Sequence, residues 1–210
     1  MPFVLFDCDG VIVDSFQYTI KIAQQICPAL THEGFRTWFE GNINRGYEEN
    51  MPGHGPDCRH DLDFFQLYLP FFQTEVRIFE GMETAIRKLF LKHQLVIISS
   101  MATDPIKEFL RKAGLLPQFI SVLGNDIHES KVHKINLARR KHGIGPDDCV
   151  FVTDTSGDVV EAKEAGVDSI AVSWGYHDLP RLMSVDTFRI VDDPSQLPDA
   201  VDEYFAQNPD

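Results

Sequence analysis

No apolar run in the sequence approaches the 18 or so residues needed to cross a bilayer, so no membrane span is expected. No basic segment precedes the short apolar stretch at the N-terminus, so a secretory leader is not expected either. The four cysteines, Cys8, Cys27, Cys58 and Cys149, contain no CxxC pair. Their scatter favours reduced thiols over a disulfide framework, and the protein is expected to be cytoplasmic. Cys8 and Cys149 lie in apolar runs that suit buried packing. Basic residues are scarce, 19 Lys and Arg against 32 Asp and Glu, for a net charge of −13. That balance argues against nucleic acid or an anionic membrane as a partner. Because salt screens exposed charge beyond about 8 Å, any site for an anion must carry its own cations. Internal repeats and low-complexity segments are also missing.

What is present is a soluble, globular balance of 43% hydrophobic and 24% charged residues over 210 positions. That length accommodates one α/β domain of about 140 residues and a smaller module. Phe3, Val4, Leu5 and Phe6 have the composition of a buried strand, which stops abruptly at Asp7, Cys8, Asp9 and Gly10. In extended backbone, Asp7 and Asp9 share a face and Cys8 points the other way. Two such charges about 4 Å apart repel by roughly 4 kcal/mol at an effective dielectric of about 20. A metal ion or a shared proton would relieve that repulsion; alternatively the pair caps a turn or helix.

Further along, Phe16, Ile20, Ala23 and Cys27 recur at helical spacing before Pro28, and a second helical piece is expected over 33–40. Residues 41–60 are rich in Gly and Pro and read as a loop with room for one short helix. Helical spacing returns over 61–76, interrupted at Pro70. Residues 16–78 thus form an aromatic-rich helical module, and 1–15 with 79–210 an α/β core. In that core, strands are expected over 95–98, 119–123, 149–152, 169–172 and 188–191. Helices are expected around Ile86 to Phe90, from an Asp104–Pro105 start to Gly114, over 131–142 before Gly143, over 159–165 before Gly166, and over 198–205. Alternating strands and helices predict a Rossmann-like parallel sheet with helices on both faces, whose ligands bind beyond the strands' carboxyl ends. There three strands deliver Asp7 and Asp9, Ser99 and Ser100, and Thr153 and Asp154. Asp158 follows Asp154 in the string TDTSGD, and four convergent carboxylates with room for water suit Mg²⁺. Lys131 opens a helix, the wrong end for dipole stabilisation of a cation, so a neighbouring anion or ordinary surface exposure must account for it.

These residues resemble the haloacid dehalogenase-like hydrolase superfamily, and within it the phosphoglycolate phosphatase-like branch with an inserted α-helical cap domain. The stretch FVLFDCDGVIVDS is similar to the first motif, the strand ending at Ser99 to the second, Lys131 to the third and TDTSGD to the fourth; a WGY segment lies at Trp174 to Tyr176. The resemblance implies a Mg²⁺-dependent phosphatase acting on a small phosphorylated substrate. Asp7 would be the nucleophile and Asp9 the general acid and base, with Ser99, Ser100 and Lys131 binding the phosphoryl group. Mg²⁺ would be held by Asp7, the backbone carbonyl of Asp9 and Asp154, with Asp158 as a further ligand or orienting group. The assembly expected is a monomer or homodimer. The chain departs from the family's pattern in having Val132 after the lysine, Thr153 in place of a glycine and Ser100 in place of an asparagine. Because Asp9 is an acid and the cap module holds only Lys21, a phosphatase or sugar phosphomutase fits better than a dehalogenase or phosphonatase. A non-catalytic Mg²⁺-binding regulatory module is the reading from a different class. His54, Cys58 and His60 could be read as zinc ligands, but with no fourth ligand at a recognised spacing a solvated loop is preferred. Arg36, Arg45, Arg59 and His54 are candidate substrate contacts, and Phe64, Phe65, Phe71 and Phe72 are expected in the cap core or its contact with the sheet.

Overall fold

The computed structural model describes residues 1–42 and 55–208. Strand β1 (Phe3–Phe6) runs through the middle of the molecule, and after it comes a short β2 (Val13–Asp14). Three helices follow: α1 (Phe16–Ile26), α2 (His32–Thr37) and α3 (Phe64–Thr74). The chain returns through β3 (Arg77–Ile78), which pairs antiparallel with β2, so the two crossings between core and helical insertion lie side by side. Then come α4 (Met82–Phe90), β4 (Gln94–Ile98), α5 (Thr103–Lys112), β5 (Phe119–Leu123), α6 (Lys131–His142), β6 (Cys149–Thr153), α7 (Ser156–Glu164), β7 (Asp168–Val172), α8 (Leu179–Met183), β8 (Arg189–Val191) and α9 (Leu197–Gln207).

The main sheet has the order β5-β4-β1-β6-β7-β8, and every pairing is parallel. A parallel sheet covered on both faces needs strands apolar on both sides, which is why these strands read as continuous hydrophobic runs. Val4, Phe6, Leu95, Ile97, Val150 and Val152 enter one core with residues of α4, α5 and α9. The alternate residues Leu5, Val96, Ile98 and Phe151 enter a second core with Ile135, Ala138 and Ala162 of α6 and α7. The first core continues into the insertion through Ile20, Phe35 and Phe72. Because β4, β1 and β6 are adjacent, their carboxyl ends bring Ser99, Asp7 and Asp154 to one edge, where the chain's connections diverge to opposite sides.

Several expectations are corrected. Pro70 does not interrupt a helix; it lies inside α3. Its missing N–H costs one helical bond, but the buried Tyr68 and Phe72 on either side anchor the helix across it. Helix α5 begins at Thr103 rather than at Asp104, because Asp126 accepts from the Thr103 N–H at 2.7 Å and supplies the cap from elsewhere in the chain. Helix α7 begins at Ser156, three residues before the apolar stripe starts, since the Thr155 hydroxyl caps it by accepting from the Asp158 N–H at 3.3 Å.

Reduced thiols were expected throughout, yet Cys27, at the end of α1, and Cys58 form a disulfide across a separation of 31 residues. Sequence spacing hid this pair because the fold, not a local motif, brings the two together. The bond removes Cys58 from any zinc site and takes away one ground for expecting a cytoplasmic protein. His54, the other half of that zinc reading, lies outside the described residues. Cys8 and Cys149 are free and buried, as expected. No helix among the described residues is long and apolar enough to cross a membrane. Closing a loop of 31 residues is worth about 3–4 kcal/mol in chain entropy. Cys58→Ser is therefore expected to lower the unfolding free energy by about 3 kcal/mol in urea titrations. Thiol titration of the unreduced, denatured protein should find Cys8 and Cys149 alone, and four reactive thiols would dismiss the bond.

Candidate active site

The site is built at the ends of β1 and β6 and closed by the first turns of α6 and α7. Lys131 is the first residue of α6, buried despite its charge. Its ammonium donates at 2.5 Å to Asp7 Oδ2 and at 2.5 Å to Asp158 Oδ2. Glu161 holds the helix start in place by accepting from the Lys131 N–H at 3.0 Å. An adjacent anion therefore explains this lysine, and there are two of them. Asp7 also accepts from the Cys8 N–H at 2.7 Å.

Thr153, which departs from the family's glycine, uses its side chain: its hydroxyl donates to Asp158 Oδ2 at 2.8 Å. Asp154 is held differently. Its Oδ2 accepts from the Tyr176 N–H at 2.7 Å, while Oδ1 is buried without a hydrogen-bond partner. Gly10 and Gly175 make room for it. A Cβ on Gly10, whose φ is +76°, would fall 2.0 Å from Asp154 Oδ2, and one on Gly175 would fall 2.3 Å away. The WGY segment thus serves the site through a backbone N–H and a missing side chain.

Ligand atoms of Asp7, Asp154 and Asp158 all lie within 4.8 Å of one another. Three buried carboxylates around one ammonium leave the cluster short of positive charge. Burial pushes Asp7 well above the usual carboxylate range, with Lys131 opposing and Asp158 and Asp154 adding to the rise. Asp154 is pushed up to about 7, chiefly by burial. Burial acts against Asp158 too, but Lys131 and the hydrogen bonds around it hold it below the usual range. An orphaned buried oxygen and a surplus of hard anionic donors fit a small divalent cation such as Mg²⁺.

Asp9 stands apart from this group. Its Oδ1 accepts from the Tyr68 hydroxyl at 2.6 Å, and burial raises its carboxyl above the usual range while that hydrogen bond works in the opposite direction. Tyr68 comes from α3 and was not foreseen as a site residue; an aromatic in a helical stripe gives no signal beyond packing. Ser99 is fully buried, and its Oγ accepts from the Met101 N–H at 3.0 Å. Ser100 and Met101 line the pocket together with Asp7, Asp9, Lys131 and Asp154.

The other candidates lie elsewhere. Arg36 donates to the Tyr176 carbonyl at 2.8 Å and sits over the Phe16 ring, and Arg59 pairs with Asp61 at the surface. Arg45 and His54 are outside the described residues. Phe72 is fully buried as expected, but Phe65 is 37% exposed and lines the pocket.

Sequence reasoning also missed Lys134. It is fully buried, and its ammonium donates to the Ser99 carbonyl at 2.5 Å. Burial and the neighbouring Lys131 lower its pKa from 10.5 to about 8. Between these two values the unfolded chain binds more protons than the folded one, so stability rises with pH; below pH 8 the full cost of the buried charge is felt. Wild-type stability is expected to gain about 3 kcal/mol relative to Lys134→Met between pH 7 and pH 10.5. Urea denaturation of both proteins across that range measures the gain, and parallel pH curves would refute it.

A family model described as haloacid dehalogenase-like hydrolase matches residues 4–172. A phosphoglycolate phosphatase of Synechococcus elongatus is 26% identical over 217 aligned residues, which cover 99% of this chain and all of that protein. One from Neisseria gonorrhoeae is 29% identical, covering 96% of this chain and 91% of its own. Among solved structures, a haloacid dehalogenase-like protein of unknown function from Agrobacterium tumefaciens superposes with a TM-score of 0.78 at 21% identity, covering 97% of this chain and 98% of the other. A haloacid dehalogenase-like family hydrolase from Streptococcus pneumoniae gives 0.74 at 20% identity, covering 98% of each chain. At such identities the structural matches speak for the fold alone.

Proposed function

The chain belongs to the haloacid dehalogenase-like hydrolase family, and from that premise we propose that it is a Mg²⁺-dependent phosphatase of small phosphate monoesters working through an aspartyl-phosphate. The observation that carries this reading is the buried ammonium of Lys131, bonded at once to Asp7 and Asp158 beside the unpartnered Oδ1 of Asp154. Relatives along the whole length are named phosphoglycolate phosphatases, which supports the phosphatase chemistry. The acidic chain, with a net charge of −13, favours a small phosphorylated substrate over nucleic acid or an anionic membrane.

In this reading Asp7 attacks phosphorus in line, and the bond from phosphorus to the leaving oxygen breaks as Asp9 gives that oxygen its proton. Burial favours the protonated Asp9 needed for that step. Asp9, then ionised, accepts a proton from a water that attacks the aspartyl-phosphate, which frees phosphate and restores Asp7. Lys131 offsets charge on the nucleophile and the phosphoryl oxygens; Ser99, whose Oγ accepts from the Met101 N–H and keeps its own proton to donate, would hydrogen-bond one of those oxygens, and Ser100 lines the pocket beside it. Asp7, Asp154, Asp158 and the Asp9 carbonyl would hold Mg²⁺. Bound there, it supplies positive charge that favours ionised Asp7 and neutralises the transferring phosphoryl group.

Phosphate release from p-nitrophenyl phosphate and a panel of small esters tests this. Asp7→Asn is expected to lose roughly 10³-fold or more in kcat/KM, and chelation should abolish wild-type turnover until MgCl₂ is restored. Wild type no faster than Asp7→Asn across the panel would leave the non-catalytic Mg²⁺-binding module. Isomerisation of a sugar phosphate without phosphate release would point to a phosphomutase.

A further inference from the structure

The pocket has two unlike surfaces. Its floor is the charged edge of the sheet, and its remaining described lining is dominated by rings from the insertion: Phe35, Trp38 and Phe39 from α2 and the residues after it, and Phe64, Phe65 and Tyr68 from α3. Some of these rings are structural. Phe35 packs in the first core, and Tyr68 is committed to Asp9. Phe65 is not explained that way. It is 37% exposed although it belongs to an apolar helix, and it meets Phe64 edge-on with centroids 5.7 Å apart.

An exposed ring at the wall of a charged pocket, next to a second ring in edge-to-face geometry, is a ready surface for another ring. The charges point the same way. Among the described lining residues Lys131 is the one cation, and Asp7 and Asp158 already hold it. Of the described Lys and Arg side chains of the insertion, Lys21 sits over Phe71, Arg36 is tied to the Tyr176 carbonyl, Arg59 to Asp61 and Arg77 to the Thr74 and Val76 carbonyls. A second anionic group on the substrate would find no further cation among the described lining residues and would be desolvated at a cost.

We propose that this pocket selects phosphate monoesters whose leaving alcohol carries an aromatic or comparably apolar body, with Phe65 as a specificity-determining residue, over esters whose alcohol carries a carboxylate. The phosphoryl end rests on the phosphatase reading above; the preference for the alcohol rests on the rings.

Benzyl phosphate and 2-phosphoglycolate make the comparison, since both leave as alkyl alcohols and differ in what the insertion sees. Wild type is expected to favour benzyl phosphate by about tenfold or more in kcat/KM. Phe65→Ala should raise KM for benzyl phosphate about fivefold with kcat little changed, and should leave methyl phosphate kinetics nearly as they were. Phe65→Leu should restore part of the loss. Phe65 is exposed enough that its replacement leaves the fold intact, which circular dichroism checks. Calorimetric binding of 2-phenylethylphosphonate and 3-phosphonopropionate in MgCl₂ supplies a readout that needs no turnover, and the phenyl compound should bind the tighter. Equal or reversed preference, in rates or in binding, overturns the proposal, as does failure of both phosphonates to bind. If no ester is hydrolysed above Asp7→Asn while the phenyl compound still binds tighter, the phosphatase reading falls and the ring site stands.

Discussion

One buried ammonium governs the geometry of the carboxylate-lined edge of this sheet. Lys131 reaches Asp7, just past β1, and Asp158 on α7 with bonds of equal length, so a single charge ties one strand end and two helix starts together. Removing a lysine so placed would strand two buried carboxylates, which costs far more than the pair contributes against a hydrophobic replacement. The arrangement is therefore a poor way to stabilise a fold and a good way to hold the Asp7 carboxylate in a fixed position. The helix start that carries Lys131 is itself fixed by Glu161, and Thr153 completes the bonding of Asp158. The threonine in place of a glycine thus strengthens the orientation of an acid.

From that point the constraint extends outward through Asp9. Its carboxylate faces α3, whose Tyr68 hydroxyl is the hydrogen bond that offsets its burial. The insertion is also held to the core by backbone: the Gly157 N–H donates to the Phe39 carbonyl at 3.0 Å, and the His177 ring bonds the Arg36 carbonyl at 2.9 Å. Arg181 of α8 adds contacts to Glu33 and Glu40. The polar machinery on the sheet and the rings of the insertion are consequently parts of one enclosure. Whatever enters must satisfy both.

The extent to which this was legible in the sequence follows from how local each signal is. The core strands are buried on two faces and read as apolar runs, so their number and nearly their limits were foreseeable. Asp7, Asp154, Asp158 and Lys131 were legible as well, because each stands directly at a strand end or helix start. The three helices of the insertion were legible in outline, but the details that depend on tertiary contact were not. Pro70 inside α3, the five-residue α8 and the two-residue pairing of β2 with β3 depend on tertiary contacts that outweigh local propensity. The Cys27–Cys58 bond joins positions whose spacing carries no message. Lys134 sits on the buried face of a helix whose sequence is so basic that one more lysine passes for surface.

Tyr68 and Phe65 show why residue type cannot separate structure from function in such a helix. They lie three apart on α3, both aromatic, with the same contribution to its apolar pattern. One is buried and spends its hydroxyl on Asp9; the other is exposed over a third of its surface and lines the same pocket. Their different fates are set by where the α3 axis lies relative to β1, a relation fixed by the paired crossings of β2 and β3 and by the docking of Phe72 against Phe109 of α5, with ring centroids 5.2 Å apart. A helix held so firmly on its core side has little freedom to turn its outer ring inward. Phe65 remains available to a ligand because Phe72 is not.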